Sequence, residues 1–210
     1  MKVFIPFKKK PFVQPACDMC LTTAVKIAVD NQFTKGFSLK DINKSVRYEG
    51  KYQFGVSLDN FFEQNLDKLL NKLDIKCNFR ENLKIDDLFK LLEQGTYPIV
   101  LFPLSKYNEW KKQTDEREVI GDDEPNLHAL IVVGIDKEKE TIQLFDTIPN
   151  KFKKYDNLSN LYDEISFFKF LSMWLHSGLI YPSIWLSKII KIKKSKGKDK
   201  TLEKWQSDKK

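Results

Sequence analysis

The run from His128 to Thr147 constrains the fold of this chain more than any other stretch. His128-Ala-Leu-Ile-Val-Val-Gly-Ile135 is apolar and rich in β-branched residues, Asp136 to Glu140 are all charged, and Thr141-Ile-Gln-Leu-Phe-Asp-Thr147 alternates again. Two short runs of this kind around a polar turn read as a β-hairpin, which needs an antiparallel sheet to bury its apolar face. A turn centred near Lys137 puts His128 nine residues before it and Asp146 nine residues after it. The two are then expected as direct cross-strand neighbours on one face, with Cβ atoms roughly 5 Å apart. A slip of one residue would put them on opposite faces. A carboxylate beside an imidazole orients it as a base, and the pair uses one of only two histidines in the chain.

A base needs a nucleophile, and the N-terminal part offers one. In Gln14-Pro-Ala-Cys17-Asp-Met-Cys20-Leu-Thr-Thr-Ala-Val25, Cys20 opens a helical pattern that runs to about Asn31, with Leu21, Ala24, Val25, Ala28 and Val29 on one side and Asp18 as the expected cap. The unpaired N–H groups and the dipole of a helix start favour thiolate over thiol.

The remaining chain reads as helices first and strands second. Ser38 starts a short helix to about Val46, and a longer one follows Ser57, with Leu58, Phe61, Phe62, Leu66, Leu69, Leu70 and Leu73 as its buried stripe. Ile75, Cys77 and Phe79 alternate with polar residues as a half-buried strand, which makes Cys77 an inert core thiol. Leu83 to Gln94 is an amphipathic helix closed by Gly95, and Tyr97 to Leu104 is a strand. Ser105 to Leu127 reads as a long polar connection whose Asp115–Glu124 portion holds six acids against Arg117, first a solvated loop and alternatively a lid or specificity loop that favours basic ligands or holds the protein's own Lys-rich tail. The apolar window from Ile165 to Leu186 contains Lys169, His176, Gly178 and Pro182, so it is expected as a core helix and strand rather than a membrane span. His176 is expected near that helix's C-terminal end, as a structural residue.

The net charge of +7 invites a nucleic-acid reading until it is located along the chain. Residues 188–210 hold ten lysines against Asp199, Glu203 and Asp208, which leaves 26 basic and 26 acidic groups in residues 1–187. The body is neutral, and the basicity belongs to a tail that reads first as a disordered, solubilising extension and alternatively as a contact for an anionic surface, with no specific nucleic-acid binding expected. Three cysteines are too few for a disulfide framework, and Lys8 to Lys10 interrupt the apolar start, so no secretory signal is read and a cytoplasmic protein is expected.

Gln14 six residues before Cys20, Ala24 four after it, His128 leading a Val-Val-Gly-Ile strand and Asp146 ending the next strand resemble the papain-like cysteine peptidases, in particular the bacteriocin-processing, double-glycine-leader branch and its stand-alone relatives. Gly95-Thr-Tyr-Pro-Ile-Val100 resembles the strand before the histidine, and the helix holding Phe168 and Trp174 continues the likeness, which spans about residues 11–187. The resemblance implies Cys20 as nucleophile, His128 as base, Asp146 as orienting acid and Gln14 as side-chain donor of the oxyanion hole, with the Cys20 N–H as second donor. It implies no cofactor and no metal. Met19 and Leu21 flank Cys20 where that family usually has an acid and a glycine, and Thr147 follows Asp146 where it usually has proline. The family's substrate preference is therefore not carried over.

The expected fold is α+β: N-terminal helices carrying the nucleophile, packed on an antiparallel sheet carrying His128 and Asp146, in a domain of residues 1–187 with a Lys-rich tail at 188–210. The expected activity is thiol-dependent hydrolysis of a peptide or isopeptide bond in a peptide or protein substrate. Acyl transfer through the same Cys20 thioester and a non-catalytic peptide-binding relative are the alternatives. Cys17-x-x-Cys20 also has the spacing of a thiol redox motif, though Phe4 to Val13 makes a poor preceding strand. A zinc site built on Cys17 and Cys20 lacks a second close pair of ligands.

Overall fold

The computed structural model describes residues 1–11, 19–48, 51–52, 66–114, 127–148, 161–174 and 183–188. In chain order these form β1 (Lys2–Phe4), α1 (Cys20–Gln32), α2 (Leu39–Val46), β2 (Arg47–Tyr48), β3 (Lys51–Tyr52), α3 (Asp67–Asn71), β4 (Ile75–Arg80), α4 (Ile85–Glu93), β5 (Ile99–Pro103), α5 (Leu104–Thr114), β6 (Leu127–Asp136), β7 (Thr141–Asp146), β8 (Tyr162–Ser166), α6 (Phe167–Trp174) and β9 (Ser183–Lys188). The class is α+β, as expected. One seven-stranded antiparallel sheet runs β4-β9-β5-β6-β7-β8, and β2 and β3 form a separate two-stranded ribbon. The ten-residue β6 is long enough to serve two partners along one edge. Its first half pairs with β5, and its last three residues pair with β1.

Both faces of the sheet are covered, which is why β5 and β6 are apolar at nearly every position. On one face Ala24, Val25, Ile27 and Ala28 of α1 pack on Leu101, Ala129, Ile131, Val133 and Phe145. On the other, Leu88 and Leu92 of α4, Trp110 of α5, and Phe170 and Trp174 of α6 pack on Val100, Phe102, Leu130, Val132 and Leu144. The Phe102 and Phe170 rings meet edge to face at 5.4 Å, an arrangement that aligns ring quadrupoles favourably. Helix α1 is buried on most sides, not on a single stripe; Lys26 and Asp30, paired one turn apart, lie at its edge.

Local signals account for several boundaries. Asp41 N–H donates to Ser38 Oγ at 3.1 Å and Ser38 N–H to Asp41 Oδ2 at 3.3 Å, a reciprocal cap that starts α2. Gly95 follows α4 with φ 74°, a left-handed conformation that glycine adopts without steric cost. Gly134 is required by proximity: a Cβ there would lie 2.9 Å from the Phe4 ring and 3.2 Å from the Val3 carbonyl oxygen, so a side chain would push β1 off β6.

Two expectations are corrected. Residues 105–114 are not part of a polar connection but lie in α5, because Tyr107, Trp110 and Lys111 recur at three-and-four spacing and bury one side of it. The hairpin register is also shifted: Asp146 pairs with Leu130, not His128. Four turn residues, Lys137 to Glu140, separate the strands, Glu140 takes φ 53°, and a bulge falls between Val132 and Gly134. The shift amounts to two residues, so His128 and Asp146 remain on one face as diagonal neighbours. Asp18, the expected cap of α1, lies outside the described residues. The position before the helix is held by Met19, with no side-chain capping bond. The acidic stretch 115–124, His176 and the tail beyond Lys188 also lie outside the described residues. The window expected as a core helix and strand supplies the end of β8, α6 and β9, and no described helix is long and apolar enough to cross a membrane.

Candidate active site

The sheet ends where β6 begins, and that end is where helices from both faces meet. Cys20 is the first residue of α1 on one face, and its Sγ lies 3.9 Å from the carbonyl oxygen of Leu127. His128 is the second residue of β6, and its alternation with Leu130 and Val132 aims it at the α5 face together with Asp146. His128 Nε2 lies 3.0 Å from Asp146 Oδ1. Nδ1 is then the ring nitrogen left to face the thiol, whose sulfur sits at the carbonyl of Leu127, the residue before His128. The three side chains are nearly closed off from solvent, with relative exposures of 5% for Cys20, 2% for His128 and 6% for Asp146.

The Asp146 carboxylate is held at both oxygens. Oδ1 accepts the Ile148 N–H at 2.9 Å as well as His128, and Oδ2 accepts the Tyr107 hydroxyl. Lys111, one turn after Tyr107 on α5, is 2% exposed, pairs with Asp163 of β8 at 2.7 Å and lies 4.3 Å from the centre of the Trp110 ring.

These neighbours decide the charge states. Burial drives the His128 imidazolium towards neutrality, but the charge and hydrogen bond of Asp146, followed by the contributions of Cys20, outweigh it and push its pKa up to about 9. Burial also favours the neutral form of Asp146. The charge and hydrogen bond of His128, the charge of Lys111 and the Tyr107 hydrogen bond prevail and hold the carboxyl well below its ordinary range. The arrangement therefore keeps a protonated imidazole between a carboxylate and a sulfur near neutral pH.

Of the residues expected at the site, Cys20, His128 and Asp146 come together, while Gln14 and Cys17 lie outside the described residues. Leu21 packs into the core on the α1 face, and Met19 and Thr147 are buried. Cys77 belongs to that same core, away from the site's polar network; burial and then Asp67 hold its thiol far above its ordinary pKa. Tyr107 and Lys111 were not anticipated, and the signal that could have found them is the Tyr-x-x-Trp-Lys spacing. Among the described residues no three His, Cys, Asp or Glu side chains are grouped so as to hold a metal ion.

No protein-family model matches the sequence, and no curated protein does. Solved structures do resemble it. A protein described as a C39-like peptidase from Bacillus anthracis superposes with a TM-score of 0.56 at 16% identity, over 90% of this chain and 98% of the other. Xylellain, a cysteine protease from Xylella fastidiosa, superposes with a TM-score of 0.57 at 14% identity, over 89% of this chain and 85% of the other. The chain has the papain-like cysteine peptidase fold.

Proposed function

We propose that this protein is a thiol-dependent peptidase that cleaves a peptide or isopeptide bond through an acyl-enzyme on Cys20. The observation that carries the reading is the position of His128, bonded to Asp146 and directly following Leu127, whose carbonyl lies 3.9 Å from the sulfur of Cys20 at the start of a helix. Papain-like neighbours described as a peptidase and a protease support it.

In this reading the thiol proton resides on His128 and the Cys20 sulfur attacks the carbonyl carbon, forming the S–C bond. The developing oxyanion is met by the Cys20 backbone N–H, which belongs to the first turn of α1 and has no intrahelical acceptor, and by the Gln14 side chain. His128 then passes its proton to the leaving nitrogen as the C–N bond breaks, leaving a thioester. Water, its proton taken by His128, attacks the thioester; the C–S bond breaks, the acid leaves, and the proton stays on His128 as at the start of the cycle. An amine in place of water would give acyl transfer, and product masses distinguish the two outcomes.

Labelling with iodoacetamide or a peptidyl electrophile tests the reading. Rapid modification of Cys20 that is lost in His128→Ala is expected. Equal, slow modification of all three cysteines in the folded protein would overturn it.

A further inference from the structure

Helix α5 brings a fourth side chain to the site. Tyr107 is 2% exposed, its hydroxyl donates to Asp146 Oδ2, and its ring packs against the His128 imidazole with centroids 4.3 Å apart and planes inclined at 51°. A carboxylate anchored by Tyr107 at Oδ2 and by His128 and the Ile148 N–H at Oδ1 has no freedom to turn about its Cβ–Cγ bond. An imidazole backed by a ring has little freedom to tilt away from the sulfur. We propose that Tyr107 is a positioning residue of the peptidase site, locking the Asp146 carboxylate through its hydroxyl and backing the His128 ring with its own. This rests on the peptidase reading of the Cys20–His128–Asp146 set.

Among the described residues, the groups that face the imidazole and its carboxylate are Cys20 from α1, Asp146 from β7, and Tyr107 and Lys111 from α5; Lys111 pairs with Asp163 from β8. Removing the Tyr107 hydroxyl leaves these charges in place and deletes one hydrogen bond to the carboxylate. Asp146 is then a weaker counter-ion, and His128 holds its proton less firmly. Because the loss acts on orientation and proton affinity rather than on substrate contact, it falls on kcat and not on KM.

The test is Tyr107→Phe, which keeps the ring. The chain has only two histidines, so His128 can be followed individually by NMR titration. Loss of a hydrogen bond to a charged group predicts a midpoint about one pH unit lower and a kcat about tenfold to hundredfold lower, with KM within about twofold. Tyr107→Leu, which also removes the ring, is expected to lower kcat further. A fall in kcat with an unchanged His128 midpoint would overturn the proposal, because loss of packing alone would produce it. So would indifference of both readouts. A chain without peptidase activity whose His128 midpoint still falls in Tyr107→Phe upholds the Tyr107–Asp146–His128 linkage and sinks the peptidase reading. An active chain indifferent to the substitution does the reverse. In the unaltered protein, a downfield Tyr107 hydroxyl proton correlated with the His128 ring is expected, and its absence would count against the proposal whether or not the variants fold.

Discussion

Raising the pH from about 6 to 9.5 is expected to destabilise this protein, chiefly through one side chain. The folded His128 pKa, about 9, lies above its ordinary value of 6.5. Its contribution is therefore fully present below pH 6.5 and is lost as pH rises through about 9. At about 1.4 kcal/mol for each tenfold difference in proton affinity, the contribution is roughly 3 kcal/mol, a large share of the 5–15 kcal/mol that stabilises a typical domain. The site is buried, so solvent screening removes little of it. The depressed pKa of Asp146 reports the same interaction from its other partner, and the energy is counted once; its loss falls at acid pH, as the carboxylate protonates. The assay is urea unfolding at pH 6, 7.5 and 9.5 for the native sequence and His128→Gln. The stability difference between the two should shrink by roughly 3 kcal/mol across this range. Parallel pH dependence in both proteins would refute the reasoning, and so would an NMR midpoint for His128 near 6.5.

Asp146→Asn keeps the size of the side chain but removes the counter-charge of His128, and is expected to cut the rate of Cys20 acylation about 100- to 10,000-fold, measured by burst kinetics or electrophile labelling. Cys77, whose buried thiol is held protonated, should resist iodoacetamide at pH 8 until the protein is unfolded in urea, as peptide mapping would show. Gly134→Ala places a Cβ against Phe4 and Val3 and should cost about 1–3 kcal/mol by chemical denaturation. Because β1 runs far from His128 along β6, that variant should retain its Cys20 labelling rate.

Much of the site was legible because its residues occupy positions that sequence marks strongly. Cys20 stands where a helical pattern begins, and His128 and Asp146 bracket a hairpin whose period-two alternation and charged turn are unambiguous. The register was not legible to the residue. A four-residue turn with Glu140 in the left-handed region and a bulge after Val132 together moved the pairing by two, and neither is announced by a glycine or asparagine at the turn. Parity survived, so the two side chains still share a face. Helix α5 was missed for a different reason: its buried side is made of Tyr107, Trp110 and a lysine, and hydropathy patterning scores Lys111 as surface although Asp163 and the Trp110 ring hold it inside. The burial of α1 on most sides was likewise hidden, since Thr22, Thr23 and Asn31 are buried there but read as polar.

The central claim is that Cys20 forms a covalent acyl intermediate, and the direct measurement is intact-protein mass spectrometry after acid quench of the protein with a panel of peptides. A mass increase equal to the N-terminal fragment of the cleaved peptide less one water, mapped to Cys20, labile to hydroxylamine and absent in Cys20→Ala, is the predicted result. Peptide cleavage that persists in Cys20→Ala, or an adduct that maps to Cys77 instead, would contradict it.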